Sequence, residues 1–327
     1  MTTDAPPQAS RLAANGALNR SAALASVSVA IILALLKAYA ALRTGSIAML
    51  GSLADTGLDL VASLVTFFAV QVAAQPADHE HRFGHGKAEA LAALFQVSLI
   101  SIAALGIIVR SAQRVGGAGE PTAIEFGVGV SLFAIALTLV LVWYQARVIR
   151  ATGSVAISAD NLHYRSDLAL NGSVIAALVL EAVLHWHGAD ALFGLAIGLW
   201  LGWNGWTTAA HAIDQLMDKE WPVEKRERFL ALAGRHPELQ GIHDLRTRTS
   251  GAHDFVQFHM WVDPDMTVAQ AHDVMDAVEA KLRAEFPGTE ILIHPDPVGH
   301  VDIDDPIGAR DAHQLVAALK TGQEPTA

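Results

Sequence analysis

Ser52-Leu53-Ala54-Asp55-Thr56-Gly57-Leu58-Asp59 lies inside a long apolar run, residues 47–73, and its two aspartates decide how the chain is read. A membrane-spanning helix needs about 20 predominantly apolar residues, and this run has that length. Asp55 and Asp59 are its only charges. A charged side chain at the bilayer centre costs about 2.5–3.5 kcal/mol on insertion scales. Four residues apart, the two carboxylates share one helix face and repel each other. A proton, a cationic partner or a bound metal must offset that cost. A second apolar run, residues 159–184, repeats the device, with His163 and Asp167 also four apart near its start. Two facing helices, each carrying such a pair, can converge on one point with three carboxylates and one imidazole. That donor set suits a tetrahedral divalent cation such as Zn²⁺. Without thiolates it should release its ion more readily than a structural zinc site. Two blander readings compete: helix–helix glue, with an Asp paired to Arg165, and a proton relay without metal.

Outward from this pair, six stretches are long and apolar enough to span: residues 22–42, 47–73, 88–109, 124–144, 159–184 and 189–210. The chain as a whole is 17% charged, against about 25% in an average globular chain. The deficit is concentrated in these stretches, so a membrane domain is followed by a soluble one. Arg11, Arg20, Arg82, Lys87, Arg147 and Arg150 fall on one side with the C-terminal domain; Lys37, Arg43, Arg110 and Arg114 fall on the other. The positive-inside rule then puts both termini in the cytoplasm. Trp143, Trp186, Trp203 and Trp206 lie near span ends, as an interfacial belt requires. Gly194, Gly198 and Gly202 recur every four residues and predict close helix packing. The absence of cysteine excludes disulfides and thiolate metal sites. The net charge of −11 argues against a nucleic-acid partner.

The expected domains are a flexible tail over 1–18, a six-helix membrane domain over 19–215, a cytosolic domain over 216–300 and a flexible acidic tail over 301–327, with a short helix near His313. In the cytosolic domain, residues 224–235 read as a helix, 242–249 and 255–262 as strands joined by a turn at Ser250 and Gly251, 268–286 as a helix stopped by Pro287 and Gly288, and 290–294 as a short strand. The order αββαβ is a small two-layer α+β domain. The fold class is thus an α-helical membrane protein with six transmembrane helices plus a C-terminal α+β domain.

Two further clusters carry candidate ligands. Asp78-His79-Glu80-His81-Arg82-Phe83-Gly84-His85-Gly86-Lys87 follows the second span. Its glycines disfavour a helix, so its ligands would sit on a turn; the alternative is a solvated polar loop. The cytosolic domain holds His243, His259, His272, His294 and Asp296. His259 lies on the strand face opposite the apolar row Val256, Phe258, Met260 and Val262. Any one of these is commonly a surface histidine, but five candidate ligands in one small domain point to a second metal centre.

Several motifs together carry a family resemblance. They are Ser52-Leu53-Ala54-Asp55 with Asp59; Gln75-Pro76-Ala77-Asp78 with Phe83-Gly84-His85-Gly86-Lys87; Ala159-Asp160 with Leu162-His163-Tyr164 and Ser166-Asp167; His243-Asp244-Leu245-Arg246-Thr247-Arg248; and Ile293-His294 with Asp296-Pro297. Over residues 19–300 the chain resembles the cation diffusion facilitators, most nearly their bacterial zinc and iron efflux branch. The resemblance implies a homodimer in the lipid bilayer, six spans per protomer and a cytosolic αββαβ domain like a metallochaperone. It implies a transport site of Asp55, Asp59, His163 and Asp167 and a loop site of Asp78, His81 and His85. It also implies a two-metal cytosolic site of His243, His259, His272, His294 and Asp296, with Asp296 bridging. Lys87 and Asp218 match a charge pair that locks the membrane domains near the dimer interface, and Leu162 matches a hydrophobic gate. His79 and Glu80 add potential ligands to the loop. No long histidine-rich insertion separates the fourth and fifth spans.

The expected activity is efflux of a divalent transition metal across the plasma membrane, the inner membrane of a bacterium, by proton antiport. Zn²⁺ is favoured, transported and regulatory; Fe²⁺ and Cd²⁺ are also candidates for transport. Metal must displace protons from its ligands, and an imidazole with an ordinary pKa near 6.5, such as His163, titrates within physiological reach. Alternating access would rock the helices carrying the site against a static dimer scaffold. Metal in the cytosolic site would tighten the dimer. Metal transport without strict proton coupling is one alternative, and a membrane metal sensor another. A metalloenzyme fits less well, because four protein ligands leave no open position for an attacking water.

Overall fold

This computed structural model describes residues 7–44, 47–115, 128–184, 189–234 and 241–300. The expected acidic tail over 301–327, the helix near His313 and Trp186 lie outside these residues. Two compact units divide the chain: Ala14–Leu216 forms one, the membrane unit, and Met217–Ala327, grouped with Met1–Ala13, forms the other, the soluble unit.

Among the described residues the membrane unit is built from six helices, the first of which begins ahead of it: α1 (Pro7–Thr44), α2 (Ile47–Ala73), α3 (Ala88–Val115), α4 (Val128–Thr152), α5 (Val155–Leu184) and α6 (Ala189–Leu216). Four segments, within α1 to α4, are long and apolar enough to cross a bilayer by composition alone among the described residues. Helices α5 and α6 have spanning length, 30 and 28 residues. The composition of α6 is diluted by its glycines, its tryptophans and Asn204. Large apolar side chains such as Leu42, Ile102 and Trp203 are exposed, as a lipid-facing surface requires.

Helix α1 starts earlier than the sequence reading had it. Helix begins at Pro7, inside the stretch expected as a flexible tail. The local reason is that proline is tolerated in the first turn and the following residues are rich in alanine. The glycine row of α6 also divides. A Cβ on Gly198 would come within 3.2 Å of the Ala104 carbonyl on α3, and one on Gly194 would collide with Ser111; Gly202 faces open space. Close packing of α6 on α3 therefore depends on the first two glycines.

The soluble unit holds α7 (Val223–Ala233), β1 (Gly241–Ser250), β2 (His253–Val262), α8 (Val268–Glu285) and β3 (Thr289–Pro297), the αββαβ order read from the sequence. The sheet order is β1-β2-β3, with β1–β2 antiparallel and β2–β3 parallel. A parallel pair cannot be closed by a tight turn, so α8 serves as the crossover. It is started by a reciprocal capping box between Thr267 and Gln270. Phe229 and Leu230 of α7, Val274, Val278 and Leu282 of α8, and Val256, Phe258, Met260, Ile291 and Ile293 of the sheet form one apolar core. Burying a side chain of this size contributes about 1.5–3 kcal/mol. Strand β3 runs to Pro297, longer than the 290–294 expected, so Asp296 lies within the sheet.

Candidate metal sites

Helices α2 and α5 bring Asp59, His163 and Asp167 together, with one ligand atom of each within 4.8 Å of the others. His163 Nε2 lies 2.9 Å from Asp59 Oδ1 and 4.0 Å from Asp167 Oδ2. Spacing of four residues on α5 puts His163 and Asp167 on one face, while Asp59 comes from the facing helix. The rotation of α5 is held by the next residue. Tyr164 is buried; its hydroxyl sits 2.9 Å from Ser63 Oγ on α2 and donates to the Ser26 carbonyl on α1 at 3.2 Å. Successive residues project about 100° apart on a helix of 3.6 residues per turn. Anchoring Tyr164 between α1 and α2 therefore leaves His163 facing Asp59. Asp55, one turn earlier on α2, is exposed and stands outside the group of three. Arg165 is also exposed and makes no ion pair with these acids among the described residues.

Sequence reasoning gave no role to Asp160, a fully buried residue of α5. Its carboxylate accepts hydrogen bonds from Ser26 Oγ of α1 at 2.5 Å, Gln96 Nε2 of α3 at 2.9 Å and Gln145 Nε2 of α4 at 2.7 Å. Three uncharged donors from three helices thus pin the start of the site-bearing helix. Buried Glu89 is held in the same way, accepting from Asn19 Nδ2 at 3.1 Å and Ser154 Oγ at 2.5 Å. Both acids were visible in the sequence, but their donors lie at separations of up to 134 residues. Leu162 is buried against Ile100, Ala104 and Leu201 of α3 and α6.

In the loop after α2, Asp78, His81 and His85 converge. Asp78 Oδ2 is 3.3 Å from His85 Nε2, and Asp78 Oδ1 is 3.4 Å from His81 Nδ1. The loop turns through Gly84, whose φ of +78° glycine adopts without strain. Asp78 accepts from the backbone N–H of His81 at 2.6 Å and of Glu80 at 2.9 Å. These bonds, that from His81 first, hold its carboxyl below the ordinary value. His85 Nδ1 is buried without a hydrogen-bond partner, which fits a ligand role for this ring. His79 and Glu80 are not in the group.

In the soluble unit, register builds the site. His243 of β1 pairs with His259 of β2, which pairs with His294 of β3, a row of three histidines across the sheet. Asp296 lies two residues along β3, on the same face. Its buried carboxylate is 3.1 Å from His243 Nε2, 2.8 Å from His259 Nδ1 and 3.3 Å from His294 Nε2. A register shift follows His243 in β1, where Asp244 has φ +45°. This bulge re-aims the strand and sets Asp244 Oδ2 3.6 Å from His259 Nε2, a neighbour the sequence reading had not assigned. Burial first, and then His259, holds the His243 imidazole below its ordinary pKa, against the pull of Asp296. His243 Nδ1 is buried without a hydrogen-bond partner. A neutral ring, a central carboxylate and an unpaired buried nitrogen fit a metal centre. His272 of α8 stands apart, its exposed ring 3.8 Å from Asp276. Within one chain it is not part of this group.

Lys87 donates to the Leu216 carbonyl at 3.2 Å in the membrane unit. Asp218 belongs to the soluble unit, 3.4 Å from Arg248.

Comparison with known proteins gives one family across both units. The profile of the cation efflux transmembrane domain matches residues 23–217, and that of the cation efflux protein cytoplasmic domain matches residues 221–298. The chain is 40% identical over 282 residues to the cation-efflux pump FieF of Klebsiella pneumoniae subsp. pneumoniae, covering 86% of this chain and 94% of the relative. It is also 40% identical, over 285 residues, to FieF of Salmonella newport, with the same coverage. Among solved structures, the metal-bound C-terminal domain of the CzcD transporter from Thermotoga maritima matches at 25% identity and a TM-score of 0.24, over 24% of this chain and 94% of that one.

Proposed function

The chain belongs to the cation efflux family, and on that footing we propose that it exports Zn²⁺ in exchange for protons through Asp55, Asp59, His163 and Asp167. It is a divalent cation efflux transporter and not an enzyme, a multi-pass membrane protein with a cytoplasmic C-terminal domain. The observation that carries the finer reading is the meeting of Asp59 from α2 with His163 and Asp167 from α5. Carboxylates and one imidazole make a borderline-to-hard donor set that suits Zn²⁺ and also admits Fe²⁺ and Cd²⁺. Asp55, one turn from Asp59, is the fourth ligand, drawn in when the ion arrives. Protons and metal compete for the same nitrogen and oxygens. A proton arriving from outside loosens the ion, and an ion arriving from the cytoplasm displaces the proton.

Tyr164 and the Asp160 cradle hold α5 so that His163 and Asp167 act as one body during this exchange. Leu162, packed against α3 and α6, closes the path beside the site. The proposed assembly is a homodimer in the plasma membrane, the bacterial inner membrane, with both termini cytoplasmic. Asp78, His81 and His85 would hold a loop ion, and His243, His259, His294 and Asp296 a cytosolic one. Such an ion supplies a cross-link that favours the dimer. His272 can join it only if a second copy of the chain brings it there.

The test is Zn²⁺ uptake into proteoliposomes with and without a pH gradient, using the native chain and Asp59→Ala. Uptake should require the gradient and be lost in the variant. Equal accumulation with and without the gradient would refute antiport; undiminished uptake by Asp59→Ala would refute the site.

A further inference from the structure

Lys37 lies in α1, and lysine within a span needs a reason. Its half-buried ammonium reaches α2, donating to Thr56 Oγ1 at 2.6 Å and lying 3.4 Å from the Ser52 carbonyl. Ser52 and Thr56 form one row along α2, four residues apart; Asp55 and Asp59 form the row beside it. Side chains three and four apart on a helix have Cβ atoms about 5–6 Å from each other. The ammonium thus sits one row from both carboxylates, on a face where Thr56 is buried.

Charge then gives the lysine a role. Asp55, Asp59 and Asp167 bring three negative charges when ionised, and His163 binds metal as a neutral ring. One fixed positive charge reduces the total to minus two, which a dication cancels. Without it, a bound dication leaves an uncompensated negative charge in a lipid environment. We infer that Lys37 is a fixed counter-charge of the transport site that sets its preference for divalent ions and keeps their binding weak enough for release. The inference rests on the site reading given above.

Loss of the charge strengthens attraction for every cation, and more for a trivalent ion than for a divalent one, since Coulomb energy scales with ion charge. The experiment measures Zn²⁺ uptake by the full chain in proteoliposomes, with Tb³⁺ as competitor. Lys37→Met and Lys37→Gln are expected to lower the half-saturating Zn²⁺ concentration about tenfold, with a reduced maximal rate. Tb³⁺ inhibition should strengthen by more than that factor. Lys37→Arg should resemble the native chain. Glutamine keeps a donor for Thr56, so it separates charge from hydrogen bonding: a Gln variant that behaves as native overturns the inference. So does a raised or unchanged half-saturation in both neutral variants. If neither neutral variant folds, Thr56→Val frees the ammonium to approach the carboxylates and should raise half-saturating Zn²⁺; no change there also overturns it. Asp59→Asn run alongside separates the two readings, because its native-like transport would refute the site itself, whatever Lys37 does.

Discussion

The site in the membrane unit and the site in the soluble unit use the same residue types on different supports. Asp59, His163 and Asp167 come from two long helices, and two of the three belong to one helix face. His243, His259 and His294 sit opposite one another on three hydrogen-bonded strands, with Asp296 beneath them. Helices joined through side-chain contacts can shift against each other. Strands in fixed register cannot shift without breaking backbone hydrogen bonds. On the proposed reading, the acid-rich helical set takes and gives up an ion, and the histidine-rich sheet set keeps one.

The largest expected effect breaks the comparison at the helical site. Asp59→Ala should reduce Zn²⁺ uptake at least about a hundredfold, the loss of a principal ligand, yet leave Zn²⁺ binding at the soluble site unchanged by calorimetry. Parallel loss at both would mean that the two sites are not independent. Next, Asp296→Ala removes the carboxylate common to three imidazoles. Binding at the soluble site should weaken about ten- to a hundredfold, while uptake continues at a reduced rate; complete loss of uptake would contradict a regulatory role.

A third test uses pH. His243 has its folded pKa held below its ordinary 6.5, so the unfolded chain takes up this proton first as pH falls. The metal-free fold is therefore fully stable with respect to His243 above about pH 6.5 and loses stability as pH drops from there through the folded value. Hydrogen exchange of β1 amides at pH 7.5 and 5.5 checks the sign; faster normalised exchange at the higher pH would contradict it. The smallest effect is expected in the loop. Asp78→Asn keeps the turn but removes the charge between His81 and His85. Uptake should change less than about threefold, with weaker competition by metal at the loop, because the exposed site stands in water where charge is screened.

Much of this was legible in residue order. Apolar runs of spanning length, acids four apart within them and the switch to period-two alternation at residues 255–262 are local signals. The strand and helix order of the soluble unit follows from them, as does the pairing of His163 with Asp167. Other features depend on partners far away in sequence. Asp160 reads as another intramembrane acid until Ser26, Gln96 and Gln145 are seen around it. The helical start at Pro7 was hidden by polar composition, which resembles a tail. His272 looked equivalent to its fellow histidines because composition does not reveal that α8 carries it away from the row on the sheet.

The sequence by itself determined that the chain must span a membrane, because its apolar runs have no other stable environment. It also determined that ionisable residues inside those runs must be offset, because lipid does not solvate charge. Only the tertiary structure decided which groups do this: a facing helix for Asp59, three neutral donors for Asp160, a threonine row for Lys37. The reason is that an i,i+4 spacing fixes the face of one helix and nothing about its neighbour. Rotation and register between elements arise from packing contacts such as Tyr164 on Ser63, made between residues 101 positions apart.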